Sequence, residues 1–175
     1  YTALDDLKGS TGAAMLGTTE FNSATLYRYA NINVNELIHN LGKANALQGI
    51  PSFIKAFLLS MPTGKQNTFA NKTLPNYVMI TVRTDTPVNL VSAFEDPIKS
   101  NNGYVAKSIQ SLENEYQAVQ ASGMVNAPML NAILANKKYN SQLAEQVTNL
   151  NELLDKVNKT LSEATKAVQH EDINN

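Results

Sequence analysis

"YVMITVRTD", residues 77–85, alternates in a way that decides the fold class. Val78, Ile80 and Val82 fall on one face, and Tyr77, Met79, Thr81 and Arg83 on the other. That is the two-residue period of a pleated strand, built from the β-branched and aromatic residues that strands favour. With an aliphatic face on one side and a tyrosine on the other, the strand needs a covering layer to bury its apolar residues. What flanks it determines the architecture.

Upstream, "FNSATLYRYANIN", residues 21–33, shows the same alternation and is predicted to be a second strand. Ala24, Leu26, Ala30 and Ile32 share one face, and Phe21, Ser23, Thr25, Tyr27 and Tyr29 the other. Parity assigns Arg28 to the aliphatic face, so it is expected to be structural, snorkelling or paired with an acid such as Glu36. Between the two stretches the period becomes helical. Asn33 followed by Glu36 has capping-box logic and predicts a helix over 34–41 that stops at Gly42. "IPSFIKAFLLSM", residues 50–61, sets Phe53, Ile54, Phe57, Leu58 and Met61 at helical spacing, with Pro51 in a first turn and Pro62 beyond the end. "TGKQNTFANKTLPN", residues 63–76, is a polar connection. Strand, helices, strand is half of an RRM-like or ferredoxin-like α+β sandwich: helices cover one side of the sheet, and the other side is open for stacking bases.

At the N-terminus, "YTALDDLKGSTGAAMLGTTE" carries Gly9, Gly12 and Gly17 among small residues, the composition of a mobile loop or long hairpin, with a short strand at 1–4. After Pro87 the pattern is helical. "VNLVSAFEDPIK", residues 88–99, reads as a short amphipathic helix broken near Pro97. From Tyr104 the apolar positions are Val105, Ile109, Leu112, Tyr116 and Val119. From Leu143 they are Val147, Leu150, Leu154, Val157, Leu161, Ala164 and Val168, spaced alternately by four and three. This is a coiled-coil seam. Either the two helices pair as a hairpin around "MLNAIL", residues 129–134, or the seam is a surface for a partner or a second copy. The expected organisation is a hairpin over 1–20, the α+β part over 21–100 and a helical region over 101–175.

Composition excludes more than it assigns. The 175 residues are 43% hydrophobic and 17% charged, with a formal net charge of -1, so any polyanion site is local. The absence of cysteine rules out disulfides, thiolate metal sites and cysteine nucleophiles, and fits a cytoplasmic protein. No apolar run approaches the ~20 residues of a membrane span, and no secretory leader is visible. A chain that begins at Tyr1 is expected to be a piece of a longer protein. "TGKQ" is not a phosphate loop, because Leu59 stands where its first glycine belongs and Gln66 where Ser or Thr is required. His39 and His170 are far apart, and Asp5 and Asp6 lack the further ligands of a cation site. No catalytic constellation, cofactor or metal is therefore expected. Lys65 with Gln66 reads either as a phosphate contact or as a lysine held at a helix C-terminus by the macrodipole.

Four stretches together carry a resemblance: "YTALDDL" (1–7), "MLGTTEFNSATLYRYANINVNEL" (15–37), "PTGKQNTFA" (62–70) and "VNLVSAFEDPIKSNNGYVAKSIQ" (88–110). In this order they resemble the second half of the CasC family, the backbone subunit of the type I-E CRISPR complex Cascade. The resemblance implies an RRM-like palm and a long hairpin thumb, copies of which polymerise along a CRISPR RNA and displace a nucleotide at intervals. By position, Tyr1 and Thr2 correspond to the family's aromatic-threonine pair on the rising side of the thumb and Leu16 to the apolar residue on its descending side, with Met15 beside it. A ring and an aliphatic side chain can replace a lost base neighbour, at about 1–3 kcal/mol per stacked base. Lys65 and Gln66 correspond to a guide-phosphate step, and Lys99 to a possible DNA contact. The implied protein is a non-enzymatic guide scaffold without cofactors. Its partners are CRISPR RNA, target DNA, further copies of the chain and other Cascade subunits, with no membrane. The competing expectation is a helical protein–protein interaction module.

Overall fold

A computed structural model describes residues 2–4, 13–18, 20, 22–135, 141 and 143–171. Strands β1 (Thr2–Leu4) and β2 (Ala13–Leu16) pair antiparallel, forming the ladder of the expected N-terminal hairpin. Tyr1, Asp5, Asp6 and the rest of the 5–12 stretch lie outside the described residues.

Helix α1 (Val34–Leu41) begins where the sequence predicts. The Asn33 side chain accepts the Glu36 N–H at 3.1 Å, and Glu36 turns its carboxylate to Asn40 rather than back to the cap. Gly42 ends the helix at φ 76°, a left-handed backbone in which a Cβ is strained. Helix α2 (Lys43–Leu59) follows at once. Pro51 therefore lies inside it, not in a first turn, and the helix is held there by packing: Ala46 and Ile50 are buried against the core. A single turn, α3 (Gln66–Phe69), leads to strand β3 (Tyr77–Val82). Then come a 3₁₀ turn at Val91–Phe94, helix α4 (Val105–Ala121), strands β4 (Leu130–Ala135) and β5 (Glu145–Val147), and helix α5 (Leu150–Glu171).

The sheet has the order β3-β4-β5. β3 and β4 are antiparallel, with Val78 opposite Leu134, Ile80 opposite Ala132 and Val82 opposite Leu130, and β5 joins β4 in parallel. The fold is thus α+β as expected, but "MLNAIL" forms the central strand, not the turn of a helical hairpin. It is a short apolar run, which suits a strand covered on both faces. Ala132 and Ile133 are completely buried on opposite faces. One sheet therefore joins β3 to two strands from the stretch expected to be helical.

Two cores, one on each face, follow from the alternation. Val78, Ile80, Val82, Leu130, Ala132, Leu134 and Val147 pack beneath α5 and α2. Tyr77 and Met79 pack on the other side with Leu90, Ala93, Leu112 and Tyr116. The tyrosine-bearing face of β3 is thus covered by α4 and the 3₁₀ turn, which overturns the expectation of an open face for stacking bases. Tyr77 donates to the buried carboxylate of Glu113 on α4 at 2.8 Å.

The expected coiled-coil seam is divided between these cores. On α5 the buried stripe is Leu153, Val157 and Leu161, facing β4 and α2. Leu154, assigned to the seam, is only half-buried, and Leu143 and Val147 lie outside the helix, in the second core and in β5. α4 serves the opposite face of the sheet. Asn149 caps α5 by accepting the Glu152 N–H at 3.0 Å, and Lys43 Nζ ties α2 to α5 through the Thr165 carbonyl at 2.9 Å.

The stretch 21–33 is the other correction, because its described residues 22–33 form no strand. Its alternation serves two separate anchors: Ile32 packs on the first core and Tyr27 on the second. Leu26, directly before Tyr27, is 75% exposed. The described segment is an irregular tether between the two cores.

Candidate functional site

The sequence-expected site residues fall in three places. In the β1–β2 ladder, Thr2 lies opposite Leu16 and Ala3 opposite Met15, with a register irregularity after Ala3 that brings Leu4 to Ala13. Residues fourteen apart in sequence are thereby brought into direct register. The remaining member of this group, Tyr1, lies outside the described residues.

Lys65 and Gln66 sit at the start of α3. Lys65 is exposed and left-handed, at φ 58° and ψ 16°, directly after Gly64. Its carbonyl accepts the N–H groups of Thr68 and Phe69 at 3.1 and 3.0 Å, and Gln66 N–H closes back on the Thr63 carbonyl at 3.2 Å. The macrodipole reading required a helix C-terminus, but α2 ends at Leu59 and Lys65 is the N-cap of the next turn. A cation gains nothing from that end of a helix. Ala70, closing the same turn, is also left-handed at φ 49°.

Lys99 lies in the loop before α4, exposed, and its carbonyl accepts Lys107 Nζ at 2.6 Å. Together with Ser100, Asn101, Asn102, Gly103 and Ala106 these two lysines line a shallow depression. His39 is exposed in the last turn of α1 and His170 lies near the end of α5. Among the described residues no group of three or more His, Asp or Glu is arranged to hold a metal, and no helix is long and apolar enough to cross a membrane.

The Tyr27 hydroxyl donates to Asn89 Oδ1 at 3.1 Å and accepts the Leu90 N–H at 3.2 Å, while its ring packs on Phe94 with centroids 5.3 Å apart. Burial pushes its hydroxyl pKa up, against the opposing Leu90 hydrogen bond. Tyr27 is a core anchor. Arg28 is neither under the helices nor paired with Glu36: it is exposed, lies 4.3 Å from the Phe57 ring centre, and donates from Nη1 to the Ser60 carbonyl at 3.0 Å. Sequence reasoning missed this contact. Parity assumed a strand, and nothing in the spacing of Arg28 and Phe57 signals their meeting.

A sequence model for the family described as CT1975-like protein (Cas_CT1975) matches residues 1–161, nearly the whole chain. The chain belongs to the CT1975-like Cas family. Its fold, a small three-stranded sheet with helices, is similar to that of chains in solved structures described as "CRISPR RNA-guided surveillance complex". One such chain superposes with a TM-score of 0.79 at 30% identity, over 91% of this chain and 62% of the other. A second, from a "CRISPR RNA-guided surveillance complex, pre-nicking", gives a TM-score of 0.80 at 30% identity, over 92% of this chain and 45% of the other. The CT1975-like chain thus spans less than two thirds of the length of either. No curated protein matches it.

Proposed function

We propose that this CT1975-like chain belongs to a CRISPR RNA-binding backbone subunit of a Cascade-type surveillance complex, of the CasC, type I-E kind. The observation that carries the reading is the ladder that sets Thr2 opposite Leu16, in a chain 30% identical over 91% of its length to a chain of an RNA-guided surveillance complex. In this reading Thr2, Met15 and Leu16 of the paired strands, with Tyr1 next to them in sequence, are the residues that meet the guide. An aliphatic side chain there fills the space left by a displaced base, and a hydroxyl satisfies the exposed sugar or base edge. Lys65 and Gln66 supply a phosphate contact and Lys99 a contact to DNA. With a net charge of -1 the chain neutralises few phosphates by itself. Other copies and other subunits share the guide.

The role is structural, not enzymatic. The chain holds CRISPR RNA through its backbone and shape, base pairing with target DNA reads the sequence, and the work takes place in the cytoplasm. The surface that a helical interaction module would use is largely consumed, since the α5 stripe Leu153, Val157 and Leu161 is buried within the chain.

The test is nuclease protection of a CRISPR RNA by the complex, comparing the native chain with Tyr1→Ala/Leu16→Ala and with Lys65→Ala. The double variant is expected to lose the periodic interruption of protection. Lys65→Ala is expected to weaken binding uniformly across guide sequences and to lower the salt-dependence slope by about 0.7, the value for one single-strand phosphate contact. Protection and periodicity unchanged in the double variant would remove the assignment of these residues to the guide.

A further inference from the structure

An exposed arginine seldom has a fixed geometry, yet Arg28 is held at two points. Its guanidinium lies 4.3 Å from the centre of the Phe57 ring, itself stacked on Phe53 with centroids 6.1 Å apart and planes within 12°. Its Nη1 donates to the carbonyl of Ser60 at 3.0 Å. Ser60 is the C-cap of α2, the first residue to leave the helix, with ψ 131°. From there the path to Lys65 is short, and its first part is stiff. Pro62 has a locked φ and restricts Met61 before it, and the Thr63 carbonyl already accepts the Gln66 N–H. Fixing the Ser60 carbonyl therefore fixes the direction from which the chain enters the turn.

The turn needs such support. Lys65 and Ala70 are both non-glycine residues in the left-handed region, a conformation that persists only where the surroundings over-determine it. From these contacts we infer that Arg28 is a positioning residue: its clasp on Phe57 and Ser60 sets the exit of α2 and so the left-handed turn that presents Lys65 and Gln66. Its consequence for RNA rests on the reading of Lys65 and Gln66 as a guide contact, whereas its consequence for the turn does not. Arginine is required in this role because a planar guanidinium lies against a ring while still donating in its own plane; a lysine ammonium does one or the other.

Two readouts separate the inference from the reading beneath it. Hydrogen exchange on the full chain follows the amides of Gln66, Thr68, Phe69 and Ala70, whose hydrogen bonds define the turn. In Arg28→Met, and independently in Phe57→Leu, these amides are expected to exchange about tenfold faster, the loss of a charge-assisted hydrogen bond and a cation–π contact, while the amides of β3 and β4 keep their rates. Arg28→Lys keeps the charge and is expected to leave the turn as fast as Arg28→Met does. Unchanged exchange in the turn, or equal acceleration throughout the sheet, overturns the inference. Binding to a single-stranded CRISPR RNA is then measured for Arg28→Met, Lys65→Ala and the pair. Arg28→Met is expected to weaken binding about threefold to tenfold alone, with no further loss in the Lys65→Ala background. Additive losses with a separate drop in salt slope, restored by Arg28→Lys, would make Arg28 a phosphate contact and overturn the positioning role. If Lys65→Ala binds as the native chain does, the guide-contact reading fails, and the exchange data still decide whether Arg28 sets the turn.

Discussion

Adjacent leucines on α5 decide between the observed packing and the coiled-coil alternative. Leu153 is 0% exposed, enclosed in the core between α5, α2 and the sheet, whereas Leu154 is half-buried. Truncating a fully enclosed leucine to alanine removes its transfer energy and leaves a cavity, about 3–5 kcal/mol together. At Leu154 roughly half of the transfer energy is at stake and solvent refills the space, so the cost is about 1 kcal/mol. In urea, with an m-value of about 2 kcal/mol per molar, Leu153→Ala should lower the unfolding midpoint by about 1.5–2.5 M and Leu154→Ala by about 0.5 M. Both variants should keep the native m-value, and tenfold dilution should leave both midpoints in place. A seam used for association makes the opposite demands: Leu154 becomes the costlier position and the midpoints fall on dilution. Either observation would refute the assignment of the α5 stripe to the internal core.

Three further outcomes follow from local geometry. Asp85 accepts a two-pronged bond from Arg83 at 2.8 and 2.9 Å and the Asn126 N–H at 2.7 Å, and the guanidinium, with help from that N–H, holds its carboxyl down at about 2. Its contribution is fully present above the ordinary value of 3.8 and is lost as pH falls through about 2, so the stability curve of Asp85→Asn should lack that acid limb; parallel curves for native chain and variant between pH 4 and 2 would contradict the bond. Asn149→Ala removes the α5 cap and should cost about 1 kcal/mol, while Asn149→Asp is tolerated, read from thermal unfolding. Ala70→Gly relieves a left-handed alanine and should raise stability by about 0.5–1 kcal/mol; a loss would show that the turn is not strained there.

What could be read in the sequence was what local physics fixes. Asn33, Glu36 and Gly42 delimit α1 because a side-chain cap and a left-handed glycine act within a few residues. Tyr77–Val82 alternates because a sheet imposes its period on each residue in turn. The errors arose where two distant elements share a pattern. Residues 22–33 alternate like a strand, yet their inward residues serve cores on opposite faces of a sheet they do not join. "MLNAIL" was ambiguous alone, since a six-residue apolar run suits a buried helix turn as well as a central strand; only its register with β3 decides. The fours and threes mark helices only from Val105 and from Leu150, since Leu143 and Val147 precede α5, and period says which face is apolar and not what covers it.

The candidate site was less legible for a different reason. Thr2 and Leu16 meet only through a hairpin register, which no spacing rule supplies, and resemblance alone singled them out. Lys65 shows how structure then adds to resemblance. On composition its two readings were evenly matched: a phosphate contact, or a lysine stabilising a helix C-terminus. The second reading would make Lys65 a residue that helps the fold. Instead it occupies a left-handed backbone, where a side chain costs on the order of 1–2 kcal/mol relative to the ordinary helical region, and caps the N-terminal end of a turn, where positive charge is disfavoured. Glycine would fit that backbone better, and an asparagine or serine would cap the turn better. In the proposed reading, a cation on this exposed turn is suited to a phosphate. By the same reasoning Arg28, which supports that turn from outside the core, is a residue whose replacement should affect binding before it affects global stability.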